Sequence, residues 1–205
     1  MYPRAAVSAG RIQEALDAKP SIVEDPKGIS DTKTKGYIEF QNVTFAYPGH
    51  SQEPVIRNVS FTASPGETVA FIGSTGSGKS TLIQLIPRFY DVSEGKILID
   101  GVDVRDYRLS KLRDKIGFIP QKALLFTGTI ADNLRYGKED ATQEEMERAA
   151  EIAQASEFIS RKPDGFNEHL SEGGSNFSGG QKQRLAIARA IIRLSLIHIS
   201  EPTRL

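Results

Sequence analysis

The sequence predicts an α/β domain, and three observations carry that expectation. Phe71 to Ile86, FIGSTGSGKSTLIQLI, runs from an apolar strand through a glycine-rich turn into an evident helix. Strand-like segments crowd the first part of the chain, whereas helical periodicity dominates later. With 205 residues and 39% apolar content, the chain can bury one sizeable core.

The elements follow in order. Between Arg4 and Leu16, residues Ala5, Ala9, Ile12 and Leu16 recur at helical spacing, with Gly10 as a weak point, so a short helix is expected. DAKPSIVEDPKGISDTKTKG then mixes Pro20, Pro26, Gly28 and Gly36 with charges, the composition of an exposed linker. The domain proper is expected from Tyr37. In YIEFQNVTFAY the apolar alternation of Ile38 and Phe40 shifts phase at Asn42 and resumes with Val43 and Phe45, as in a bulged strand or a strand pair. NVSFTA and ETVAFIG read as further strands, the second apolar enough for the buried middle of a sheet. GKILIDGVDV reads as two short strands about the Asp100-Gly101 turn, and KIGFIPQ as a strand ended by Pro120. Thr142 and Glu145 form a capping-box pattern that opens a helix through Met146, Ala149, Ala150 and Ala153.

Composition excludes several classes of function. Lys plus Arg and Asp plus Glu both number 26, so the basic footprint of a phosphate-backbone binder is missing and no nucleic-acid partner is expected. Without cysteine there is neither a disulfide framework nor a thiolate zinc site. His50, His169 and His198 lie too far apart for ligand-like spacing. No apolar run approaches the roughly 20 residues of a membrane helix, and no signal-peptide pattern opens the chain, so it is expected to be soluble.

Gly73, Ser74, Thr75, Gly76, Ser77, Gly78, Lys79 and Ser80 fit the pattern G-x-x-x-x-G-K-[ST], with Thr81 entering the helix behind it. Glycines let successive backbone N–H groups converge on one concavity, and the helix start adds a favourable dipole, so a triphosphate finds donors on several sides. Lys79 brings a mobile positive charge to the β- and γ-phosphates, and the Ser80 hydroxyl suits Mg²⁺. The pattern therefore points to a nucleoside triphosphate. Downstream, NFSGGQKQRLAIARAIIR places Ser178, Gly179 and Gly180 before a helix whose apolar side holds Leu185, Ala188, Ile191 and Ile192. A second anion-receptive helix start is implied.

With Gln121 in FIPQKALLF between these two motifs, Tyr37 to Arg193 resembles the nucleotide-binding domain of an exporter-type ATP-binding cassette (ABC) transporter. The resemblance implies a P-loop NTPase core of ABC type with an antiparallel β subdomain and a helical subdomain. It implies ATP and Mg²⁺ as cofactors, and a second nucleotide-binding domain, of the same or a different chain, that meets this one head to tail. Ser178, Gly179 and Gly180, with Gln181 nearby, would then contact ATP held by the partner's phosphate loop. By the same resemblance Tyr47, in FAYPG, stacks on adenine, a task suited to a flat π-face. Gln121 would reach Mg²⁺ and the attacking water, giving Lys79 and Gln121 catalytic roles, while the loop of Gln121 touches the transmembrane domain.

Residues 1–36 are similar to the segment that joins an exporter's last membrane helix to this domain, so the parent is expected at the cytoplasmic face of the cell membrane. DNA-maintenance and translation ATPases use the same ATP-clamp head, but the coiled-coil, zinc-binding or tandem insertions they carry are not visible here. After Arg193 the family pattern continues into a strand ending in Asp-Glu and then a switch histidine, and here LSLIHISEPTRL stands instead. Leu194 to Ile199 can imitate that strand, Glu201 falls near the magnesium aspartate, and Pro202 occupies the second carboxylate's place. Residues 194–205 are thus expected to be a non-native tail, with Leu194 to Arg204 encodable by a transposase adapter. The fold is expected to be incomplete at its C-terminus, and the chain to bind ATP weakly and hydrolyse almost none.

Overall fold

A computed structural model describes residues 2–18, 20–30, 36–49, 53–195 and 197–200. The chain runs α1 (Tyr2–Asp17), β1 (Ile38–Phe45), β2 (Ile56–Ala63), α2 (Lys79–Leu85), β3 (Glu94–Ile99), β4 (Val102–Asp103), α3 (Leu109–Asp114) and β5 (Ile116–Ile119). It continues with β6 (Gly128–Thr129), α4 (Ile130–Arg135), α5 (Gln143–Ile152), α6 (Ser156–Ser160), β7 (His169–Leu170), α7 (Gly179–Ile191) and β8 (Ile197–Ser200). Two apolar clusters divide these elements. One gathers the strands β1 to β5 and β8 with α2 and α3, and the other gathers α4 to α7 with Leu170 and Phe177. Among the described residues no helix is long and apolar enough to cross a membrane.

The first cluster is built on an antiparallel sheet of order β2-β1-β3-β4. Ile38, Phe40, Val43 and Phe45 of β1 are buried, and the phase shift expected at Asn42 is an irregularity in the pairing with both neighbours. Asn42 takes φ 49°, its N–H donates to Ser60 Oγ at 2.8 Å and its side-chain amide donates to Asn58 Oδ1 at 2.9 Å, so polar groups on the exposed face absorb the extra residue. Phe40 stacks on Phe61 with centroids 4.4 Å apart. Asp100 and Gly101 take φ 53° and 83°, the left-handed pair that a two-residue hairpin requires. Asp100 Oδ1 also accepts from the N–H groups of Gly36 and Tyr37 at 2.8 and 3.0 Å, fastening the entry to β1.

ETVAFIG does not form the expected strand. Residues 67–72 have no ladder, and Ile72 is 96% exposed. The reason is non-local: a strand exists through the hydrogen bonds of a neighbour, and among the described residues β5 and β8 pair only with each other. Phe71 alone finds a ring contact, edge-on to Phe61 at 5.1 Å. β8 runs parallel to β5, Ile116 opposite Ile197, so the segment expected to imitate a strand does join a sheet. Glu201 and Pro202 lie outside the described residues.

Segment 20–30 is mostly exposed, as its composition suggests, but it is tethered. Arg88 donates to Val23 O at 3.3 Å, Arg108 to Pro26 O at 2.9 Å, and Glu24 Oε1 accepts from the Leu109 N–H at 2.9 Å at the start of α3. The apolar positions Ala9, Ile12 and Leu16 of α1 are exposed, and the Ala5 side chain lies outside the description.

In the second cluster, the Thr142–Glu145 capping box forms as expected and opens α5, burying Met146, Ala149 and Ala150. A second box, Thr129 with Asp132, opens α4. Leu185, Ala188 and Ile192 are buried along or just beyond α7, with Ile191 half-buried.

Candidate functional site

The glycine-rich loop before α2 is shaped by backbone requirements. Gly76 and Gly78 sit at φ 82° and 84°, which L side chains avoid. A Cβ on Gly78 would also lie 2.8 Å from Ile56 Cδ1 and 3.2 Å from Val55 O, so the start of β2 packs closely against this glycine. Gly78 caps α2 in the left-handed conformation with no side-chain cap bond, so the first N–H groups of the helix are not taken by a capping side chain. The Lys79 ammonium folds over the loop, donating to Gly73 O at 2.8 Å, Ser74 O at 2.7 Å and Ser77 Oγ at 3.2 Å. A cation thus lies beside unclaimed helix-start donors, and both features favour a polyanion. Ser80 stands exposed in the first turn.

Tyr47, two residues beyond β1, is brought to this loop. Its hydroxyl is 2.9 Å from Thr81 Oγ1, the proton lying on either oxygen, and Thr81 is 6% exposed. The ring meets Phe45 edge-on at 4.9 Å and Tyr90 edge-on at 5.1 Å. Tyr90 was not singled out from the sequence, and its nearness to α2 through Arg88 and Phe89 is the signal that could have found it. Gln121 follows β5 and Pro120 on an exposed loop. The rest of that loop is held by Asn133, buried in α4, which donates to Phe126 O at 2.8 Å and Thr129 O at 3.0 Å and accepts from the Phe126 N–H at 2.9 Å.

Ser178 belongs to the other cluster's helix. As the cap of α7 its Oγ accepts from the Gln181 N–H at 3.3 Å, and its own N–H donates to Gln181 Oε1 at 2.9 Å. Cβ atoms added to Gly179 and Gly180 would meet nothing within 4 Å, so this turn faces open space. Arg189 of α7 reaches back to the loop after Gln121, donating to Leu124 O at 2.8 Å and lying 5.8 Å from the Phe126 ring centroid. Burial pulls its guanidinium pKa below the ordinary value.

Among the described residues no group of three or more His, Cys, Asp or Glu could hold a metal ion. The Ser80 hydroxyl and the Gln121 amide oxygen are hard donors of the kind Mg²⁺ takes in company with phosphate oxygens, so the donor chemistry fits that ion.

The sequence matches the ABC transporter family over residues 56–204. It is 48% identical over 204 residues to the ABC transporter ATP-binding protein Rv1273c of Mycobacterium tuberculosis, covering 97% of this chain and 34% of that protein. It is 48% identical over 190 residues to the β-(1→2)glucan export ATP-binding/permease protein NdvA of Rhodopseudomonas palustris, covering 91% of this chain and 31% of that protein. The solved structure of a bacterial Atm1-family ABC exporter with ATP bound superposes with a TM-score of 0.87 at 34% identity, covering 96% of this chain and 34% of that one. The chain therefore spans about a third of the length of these relatives.

Proposed function

The chain belongs to the ABC transporter family, in its exporter-type ATP-binding branch, and from that membership we propose that it binds ATP as the energy-converting domain of a membrane exporter. The observation that carries the reading is the Lys79 ammonium lying over a left-handed glycine loop at a helix start with no capping side chain. The backbone of Gly73, Ser74, Thr75, Gly76, Ser77 and Gly78 cradles the phosphates, Lys79 moves from the loop carbonyls to the β- and γ-phosphate oxygens, and the Thr81 N–H closes the cradle. Tyr47 stacks on the adenine. Ser80 and Gln121 hold Mg²⁺, which when bound offsets phosphate charge.

In the parent exporter, residues 1–36 lead in from the transmembrane domain and residues 37–193 form the nucleotide-binding domain, at the cytoplasmic face of the membrane. A second such domain docks head to tail. Ser178, Gly179, Gly180 and Gln181 then close over the partner's ATP, using the open face of the α7 start. Closure by ATP and reopening on hydrolysis drive the attached pore between its two states.

The family's magnesium and water-activating carboxylates fall at Glu201 and Pro202, and a proline side chain offers neither metal ligand nor base. For the 205-residue chain the reading is accordingly nucleotide binding with little turnover. Deuterium exchange tests it: added ATP should slow exchange in the peptide covering 73–81, with little phosphate release. Unchanged exchange there at saturating ATP contradicts the proposal.

A further inference from the structure

The hydroxyl of Thr81 faces away from the role that its place in the phosphate loop would give it. Thr81 Oγ1 is buried and sits 2.9 Å from the Tyr47 hydroxyl. A buried hydroxyl stripped of its partner carries a desolvation penalty, so this pairing is costly to break. The Tyr47 ring is confined from other sides as well. Phe45 and Tyr90 meet it edge-on, and Phe45 and Tyr90 touch each other at 5.6 Å. The backbone before it is also fixed, because the Ala46 N–H donates to Ser93 Oγ at 3.1 Å and the Ser93 N–H donates to Thr44 O at 2.9 Å.

Thr81, in the first turn of α2, holds the phenol oxygen, and Tyr90, in the segment that follows α2, packs against the ring in a T-shaped contact. We infer that Thr81 is a positioning residue for the base end of the nucleotide site: its side chain fixes Tyr47 while its backbone N–H remains with the phosphate cradle. Base recognition is thereby tied to the same helix that grips the phosphates, and Tyr90 serves as the backstop. This rests on the ATP reading above.

The test titrates the full 205-residue chain with ATP and, separately, with inorganic tripolyphosphate, which has phosphates and no base. The expected result is that Thr81→Val lowers the ratio of ATP affinity to tripolyphosphate affinity about fivefold. Tyr47→Phe should lower it by a similar factor, the double variant should be no worse than either single one, and Thr81→Ser should restore the ratio. Tyr47→Phe and Thr81→Ser conserve shape, so they keep the test readable if the valine variant unfolds. Equal loss of ATP and tripolyphosphate affinity in Thr81→Val would mean that the hydroxyl serves a phosphate, and additive effects in the double variant would mean that the two groups act separately. Either result overturns the inference and leaves ATP binding standing. A wild-type chain that binds neither ligand overturns the ATP reading and this inference with it.

Discussion

The molecule contains two glycine-rich helix starts, and they are finished in opposite ways. At α2 the cap is Gly78 in a left-handed conformation, no side chain answers the first N–H groups, and a lysine ammonium folds across the loop. At α7 the cap is Ser178, whose reciprocal bonds with Gln181 satisfy the start from within, while Gly179 and Gly180 face open space. The first is shaped to receive an outside acceptor on its own. The second is complete as local structure and presents a smooth face, which suits a surface that acts only when another body closes on it.

Alanine at the glycines probes that contrast most strongly. Gly78→Ala forces a Cβ into φ 84° and against Ile56, and should destabilise the chain by about 1–2 kcal/mol in urea unfolding. Gly180→Ala meets no atom and replaces a flexible residue inside a helix, so it should stabilise by roughly 0.5–1 kcal/mol in the same assay. Equal effects at the two sites would erase the distinction between them.

A smaller effect tests the capping boxes of the helical unit by pH. The Glu145 carboxyl is held below its ordinary range first by the Lys138 ammonium and then by the Thr142 N–H, and the Asp132 carboxyl is held down chiefly by the Thr129 N–H. These acids ionise more readily in the folded chain, so their contribution is complete above the range of an unfolded carboxyl and is lost as pH falls through the folded value. Glu145→Gln should therefore flatten the acid side of the stability curve, followed by urea midpoints from about pH 7 to about pH 3. A variant curve as steep as that of the wild type would remove the capping carboxylate from the account.

What could be read from the sequence follows the reach of each interaction. The Thr142–Glu145 box and the glycine-lysine loop were legible because their partners lie within a few residues. The Thr129–Asp132 box obeys the same local rule and could have been found by it. ETVAFIG has strand propensity without forming a strand, because propensity says nothing about whether a neighbour is there to pair with, and residues 67–72 have none among the described residues. The tether at 23–26 was invisible for another reason: Arg88 and Arg108 bind backbone carbonyls, which every residue type carries. A motif names the residues of the candidate phosphate loop, but no local pattern announces the Thr81–Tyr47 contact, since 34 positions separate the two.

Under the proposed function the Lys79 ammonium exchanges its loop carbonyls for the phosphates of ATP. Equilibrium titration of ATP against the wild type and Lys79→Ala measures that exchange. Loss of a charged hydrogen-bond donor should weaken binding about ten- to a hundredfold while the melting curve barely moves. An unchanged ATP affinity in Lys79→Ala would contradict it.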